Sequence, residues 1–196
     1  MAITVDKKTG ILVGIIAVLA LGIVFLLAGN SGGPMDHSGH GSSSKEDSSS
    51  KYSADEIMFA QMMIPHHEQA LTMSELAFTN TTNSEVLALA TAIRDGQGPE
   101  IEQMKGWLDG KSEMDMHSHE MEMGGMLTEA ELKELASLKG AAFDQMFLTA
   151  MIAHHEGALD MVSMIKNSTK PEVKQLYENI VTSQSAEIEA MKALLK

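Results

Sequence analysis

At 196 residues, the chain has room for one domain with a respectable core once an anchor and a tail are set aside, and too little for several. Asp and Glu number 27 against 14 Lys and Arg, a formal net charge of -13. This excludes a nucleic-acid backbone or an anionic lipid surface as the natural partner and makes cations the better ligands. With 17 Met and no Cys, disulfides are excluded, and any soft-metal site must use thioether and imidazole in place of thiolate.

In chain order, residues 1–9 read as a short cytoplasmic N-terminus carrying Lys7 and Lys8, followed by an uncharged apolar run from Gly10 to Ala28. At about 1.5 Å rise per residue the run nearly spans a bilayer core, so residues 10–29 are predicted to be a transmembrane anchor. No basic residue follows until Lys45, and the positive-inside bias then puts everything after Asn30 outside the cytoplasm, in the periplasm or at the cell surface. No small-x-small cleavage site follows the run, and Asn30 stands where a lipoprotein would need Cys.

Residues 30–51 are rich in Ser and Gly, which predicts a flexible linker. Met35, His37 and His40 gather one thioether and two imidazoles within it. Alone, that cluster reads more readily as a solvated linker than as a site.

The domain at 52–196 carries an internal repeat. Met62-Met63-Ile64-Pro65-His66-His67-Glu68-Gln69-Ala70-Leu71-Thr72-Met73 aligns with Ala150-Met151-Ile152-Ala153-His154-His155-Glu156-Gly157-Ala158-Leu159-Asp160-Met161. Further on, Gln97, Glu100, Ile101, Glu102, Met104 and Lys105 align with Gln184, Glu187, Ile188, Glu189, Met191 and Lys192. Each repeat is predicted to be a helical hairpin, and two hairpins make an all-α, ferritin-like four-helix bundle. The helices are expected at roughly Ala54 to Thr79, Asn83 to Asp109, Thr128 to Lys166 with a break, and Lys170 to Leu195. Thr128 with Glu131 makes a capping box, and Pro171 suits a first helical turn. Pro65 and the Gly96-Gln97-Gly98-Pro99 stretch predict a kink or restart.

Steps of three and four residues define an inward seam. In the first helix it reads Phe59, Met63, His66, Ala70, Met73, Ala77, and in the third Phe147, Met151, His154, Ala158, Met161, Ile165. His66 is thereby flanked by Met63 and Met73, and His154 by Met151 and Met161. His67 and His155, one step of about 100° away, are expected to face a flank or solvent. Gln97, Glu100 and Met104 share a face of the second helix, as do Gln184, Glu187 and Met191 on the fourth. Helical bundles build metal sites from one or two such residues per helix. Glu100 and Glu187 read equally well as ordinary boundary carboxylates.

Between the hairpins, the loop at 112–127 packs Met114, Met116, His117, His119, Met121, Met123 and Met126 into one stretch. Thioether is soft and suits Cu(I), while imidazole suits both copper oxidation states, so this spacing fits a copper-ligand array.

The duplicated His-His-Glu-x-Ala-Leu motif, here His66 to Leu71 and His154 to Leu159, resembles the domain of unknown function 305 family, over about Tyr52 to Lys196. The resemblance implies the ferritin-like bundle and favours copper, since family members include periplasmic proteins implicated in copper tolerance. Met63, His66, His67, Met73 and their counterparts in the second repeat are the matching positions. With Gly157 in place of Gln69 and Ala153 in place of Pro65, the two halves need not have equal affinity.

Enzyme classes fit poorly. Di-iron carboxylate sites need Glu-x-x-His, whereas Met63 and Met151 stand three residues before His66 and His154, and no His-Glu-x-x-His zinc motif occurs. The expectation is a membrane-anchored copper-binding protein, not an enzyme, serving sequestration, delivery or tolerance. Cu(I) is favoured and Cu(II) accepted, through Met63, His66, His67, Met73, Met104, Met151, His154, His155, Met161 and Met191, with Glu100, Glu187 and the two Met/His clusters in support. Its partners would be the copper ion, the membrane and a metal-accepting protein. The competing reading is a cell-surface interaction module whose core histidines bind no metal.

Overall fold

Ser53 opens the fold with a capping box: its hydroxyl accepts the Glu56 amide at 3.2 Å and its own amide donates to the Glu56 carboxylate at 2.8 Å. Such a cap satisfies amides that the first helical turn leaves unpaired and is worth about 1 kcal/mol. It starts α1 (Ala54–Asn80) in a computed structural model that describes residues 51–108 and 124–196. The 10–29 run, nearly all of the linker and most of the 112–127 loop lie outside the described residues, as do Met35, His37, His40, Met114, Met116, His117, His119, Met121 and Met123.

Asn83 caps α2 (Ser84–Lys105) by accepting the Glu85 amide. Thr128 with Glu131 caps the short α3 (Glu129–Ser137), as its sequence predicts. After a break at Leu138 and Lys139 come α4 (Gly140–Val162) and a single 3-10 turn at Ser163–Ile165. Pro171 then begins α5 (Pro171–Leu194). Among the described residues all regular structure is helical, and no helix is long and apolar enough to cross a membrane.

Of the kink or restart expected at two places the restart does not occur, and one helix end also needs correction. Neither α1 at Pro65 nor α2 at Gly96 to Pro99 restarts; both run through as continuous helix. A proline inside a helix removes one amide donor and normally costs about 3 kcal/mol. Here Ile64 and His66 on either side of Pro65, and Glu100 and Ile101 after Pro99, are buried, and core packing outweighs the local preference. The second helix also stops at Lys105, four residues before the expected Asp109, with Gly106 at its C-terminus.

The helices pair as the repeat requires, α1 with α2 and α4 with α5, and the hairpins meet chiefly where α1 packs on α4. Two apolar clusters result. One holds Phe59, Met63, Ile64, Met104, Trp107, Met161, Ile165 and Leu176; the other holds Ala70, Met73, Leu89, Ile93, Phe143, Phe147, Met151 and Met191. Along α1 the first cluster precedes His66 and the second follows it, whereas along α4 the order is reversed. The two helices therefore run antiparallel, and a polar layer crosses the bundle between two hydrophobic floors.

Candidate metal site

The polar layer is built from both copies of the repeat. His66, His67, His154 and His155 are all at or below 1% exposure, and Glu100, Glu187, Gln97 and Gln184 are buried with them. His67 and His155 thus do not face a flank exposed to water. Each is turned onto the next helix of its own hairpin, where His67 Nε2 lies 2.9 Å from Glu100 Oε2 and His155 Nε2 lies 2.7 Å from Glu187 Oε2. Nor are Glu100 and Glu187 boundary carboxylates, because each is held inside by that imidazole. Two surface ion pairs repeat the same symmetry, Lys105 with Glu68 at 3.0 Å and Lys192 with Glu156 at 3.1 Å.

His66 and His154 meet where α1 crosses α4, with ring centroids 3.7 Å apart and planes inclined by 39°. His154 lies 6.3 Å from His155 by the same measure. The His66 Nε2–H donates to the Gly124 carbonyl at 3.2 Å, so the loop end at Gly124 reaches the layer.

Burial keeps His66, His67, His154 and Glu100 uncharged. Desolvation first, then repulsion from the charged form of His67, lowers His66 to about 3, and desolvation with repulsion from His155 does the same to His67. His154 is held well below its ordinary value by burial and by His66. Desolvation and the neighbouring Glu187 raise Glu100 to about 8. The His67–Glu100 contact is therefore a hydrogen bond between neutral groups at neutral pH, not an ion pair.

Several polar atoms in the layer have no hydrogen-bond partner: Nδ1 of His66, His67 and His155, both ring nitrogens of His154, and both amide atoms of Gln97 and Gln184. Each such atom carries an uncompensated desolvation cost of about 1–3 kcal/mol. The pattern among the histidines is specific. In three of them Nε2 is fixed by a carboxyl or carbonyl group and Nδ1 is left over, as in metal sites where an outer oxygen orients a ligating imidazole. Among the described residues no three His, Asp or Glu groups converge on a single point, so any cation here draws on two imidazoles, or on imidazole with thioether.

The methionines of the seam are placed as their spacing predicts. Met63, Met104 and Met161 lie in one apolar cluster and Met73, Met151 and Met191 in the other, so thioethers stand on both sides of the layer. Met126, expected in a flexible loop, instead packs half-buried against the first cluster. The strap from Gly124 to Leu127 that carries it was missed by sequence reasoning. Gln69 holds this strap with two hydrogen bonds, accepting the Leu127 amide at 2.7 Å and donating to the Leu127 carbonyl at 2.9 Å. The signal for it was the mismatch of Gly157 with Gln69, because the strap backbone occupies the space a side chain at 157 would need.

A duplicated helical bundle with a layer of buried histidines defines the class of protein. The chain belongs to the family described as domain of unknown function (DUF305), whose model matches residues 56–195.

A DUF305 protein from Streptomyces coelicolor is similar at 34% identity and TM-score 0.65, over 72% of this chain and 91% of that one. CopM in its Cu(II)-bound form is similar at 35% identity and TM-score 0.61, over 71% of this chain and 95% of that one. CopM structures in Cu(I)-bound and silver-bound forms match as well. An uncharacterized protein of Acanthamoeba polyphaga mimivirus is 43% identical over 53 residues. That match covers 26% of this chain and 35% of the viral protein, so the chain spans about a third of that relative's length.

Proposed function

We propose that this protein binds copper as cargo outside the cytoplasm, for sequestration, delivery or tolerance, and that the histidine layer is its principal site. The observation that carries the reading is the set of buried ring nitrogens left without partners while Nε2 of His66, His67 and His155 is anchored to oxygen. The neutral imidazoles of His66, His67 and His154 offer lone pairs without first losing a proton, and metal uptake would offset the cost of leaving ring nitrogens unpaired. His66 and His154 are the primary ligands. Met63 and Met151, each three residues earlier on the same helix face, supply thioether, which favours Cu(I). His67 and His155, oriented by Glu100 and Glu187, are the next ligands, and Met73, Met104, Met161 and Met191 extend the thioether supply. The likeness to CopM in Cu(I)- and Cu(II)-bound forms supports copper as the metal.

The clusters at Met35, His37 and His40 and at Met114 to Met126 serve capture, passing copper to the layer, and a metal-accepting protein takes it onward. The 10–29 run anchors the protein in a membrane with its bundle outside. The designation of the Streptomyces relative as a candidate secreted protein agrees with that side of the membrane. Binding without turnover is the activity proposed.

The test is a titration of the full chain with Cu(I) against a competing chelator, beside a variant carrying His66→Ala and His154→Ala whose fold is checked by circular dichroism. Tight binding lost in the folded variant supports the layer as the site. Unchanged binding refutes it.

A further inference from the structure

We infer that the strap Gly124 to Leu127 is a positioning and gating device for the His66–His154 pair, with Gln69 as its clamp; this rests on the proposed copper site. Three observations converge on it. The first is tautomer control. The Gly124 carbonyl can only accept, so the His66 nitrogen facing it at 3.2 Å is protonated Nε2, and Nδ1 is left with the lone pair. His154, which the strap's carbonyls do not bond, keeps both ring nitrogens without partners.

The second observation is the closeness of the strap to α4. A Cβ at Gly157 would stand 1.8 Å from the Gly124 oxygen, and one at Gly125 would stand 2.0 Å from the Ala153 oxygen. Gly125 also has φ +80°, a conformation that favours glycine. Backbone therefore lies directly on backbone beside His154, with no room for a side chain or an ion between them.

The third is the clamp. Gln69 binds both the amide and the carbonyl of Leu127, while its counterpart in the other repeat is the glycine that lets the strap down. Both members of that one mismatch thus serve a single segment. A groove of about 700 Å³ runs along the strap between α3 and α4, walled by Met126, Glu134, Met146 and Ala150 among others. It leaves space for the strap to move without disturbing the helices. Exchange of copper at the pair then requires release of the Gln69 clamp, and the pair is closed whenever the clamp holds.

The experiment uses the full chain, a Gln69→Leu variant that removes both clamp bonds at similar volume, and a Gly157→Ala variant that forces the strap away. In the metal-free protein, nitrogen-15 NMR of His66 should show a single tautomer protonated at Nε2 in the parent and a mixture in both variants. With Cu(I) loaded, transfer to an excess chelator should be faster by about thirtyfold in Gln69→Leu, the factor expected from losing two ordinary hydrogen bonds, at unchanged copper content. The same tautomer and the same transfer rate in both variants, with the Leu127 amide exchanging faster to prove the strap loosened, would overturn the inference. If no form binds copper, the proposed function fails, and the His66 tautomer alone decides whether the strap positions that ring.

Discussion

Glu100 meets His67 in an interior where neither gains by ionising, and its carboxyl is raised to about 8. At neutral pH it is mostly protonated, so an amide should replace it well. Glu100→Gln is expected to raise the urea midpoint of the metal-free protein at neutral pH, because the unfolded chain no longer gains by ionising that carboxyl, whereas Glu100→Ala strips the last partner from a fully buried ring and should cost about 1–3 kcal/mol. The sequence showed Glu100 and Glu187 on the same faces as Gln97 and Gln184, yet left their burial open. It misplaced His67 and His155 because a wheel drawn for one helix has a single inward direction. In a bundle each helix is covered by two neighbours, so a step of about 100° from the seam toward α4 still ends against another helix.

The buried histidines also set a pH dependence. His66 and His67 titrate at about 3 folded and at the ordinary 6.5 unfolded, so the unfolded chain takes up their protons first and stability falls as pH drops below 6.5 toward 3. Glu100 titrates at about 8 folded and 4.5 unfolded. There the folded state holds the proton longer, and stability is lost as pH rises from 4.5 toward 8. His154, held well below its ordinary value, acts in the same direction, so three histidines outweigh one carboxyl below 6.5, and the metal-free protein should be most stable near pH 6.5, with the steeper loss on the acid side. Urea unfolding across pH 4.5 to 9 measures this; a midpoint that rises steadily on acidification would contradict it.

At the scale of an element, the seams of α1 and α4 were legible because Phe, Met, His, Ala and Met recur in one order at helical spacing, and all of these residues are buried. The same pattern cannot say whether a methionine fills space or binds metal. Met63→Leu with Met151→Leu separates the two roles, since the swap conserves volume and should cost less than about 1.5 kcal/mol per site. Retained folding with weaker Cu(I) binding is the expected result; unchanged binding would assign both thioethers to packing. The strap and the continuity of α2 through Pro99 were not legible. The strap depends on backbone lying against α4 where the repeat has lost a side chain, and the helix continues because Glu100 and Ile101 are buried. Both are tertiary effects that local propensity cannot contain.

For the whole molecule, the duplication made the fold readable: two hairpins, each unable to cover its own seam, bury them against one another. What marks the layer is the protonation of its imidazoles. An imidazole lowered to about 3 has no proton to lose between pH 5 and 7, whereas a solvated imidazole with an ordinary value near 6.5 does. Copper bound in the layer should therefore keep nearly constant affinity over that range, whereas copper bound by solvated imidazoles should weaken as the solution is acidified.

The most direct measurement is a Cu(I) titration of the full chain followed by nitrogen-15 NMR of its histidine rings, since Cu(I) is diamagnetic and each ring reports its own ligation. The account predicts that, at the first equivalent of copper, the nitrogens of His66 and His154 shift while their neighbours respond less. Shifts confined to His37, His40, His117 and His119, with His66 and His154 unmoved at saturation, would contradict it.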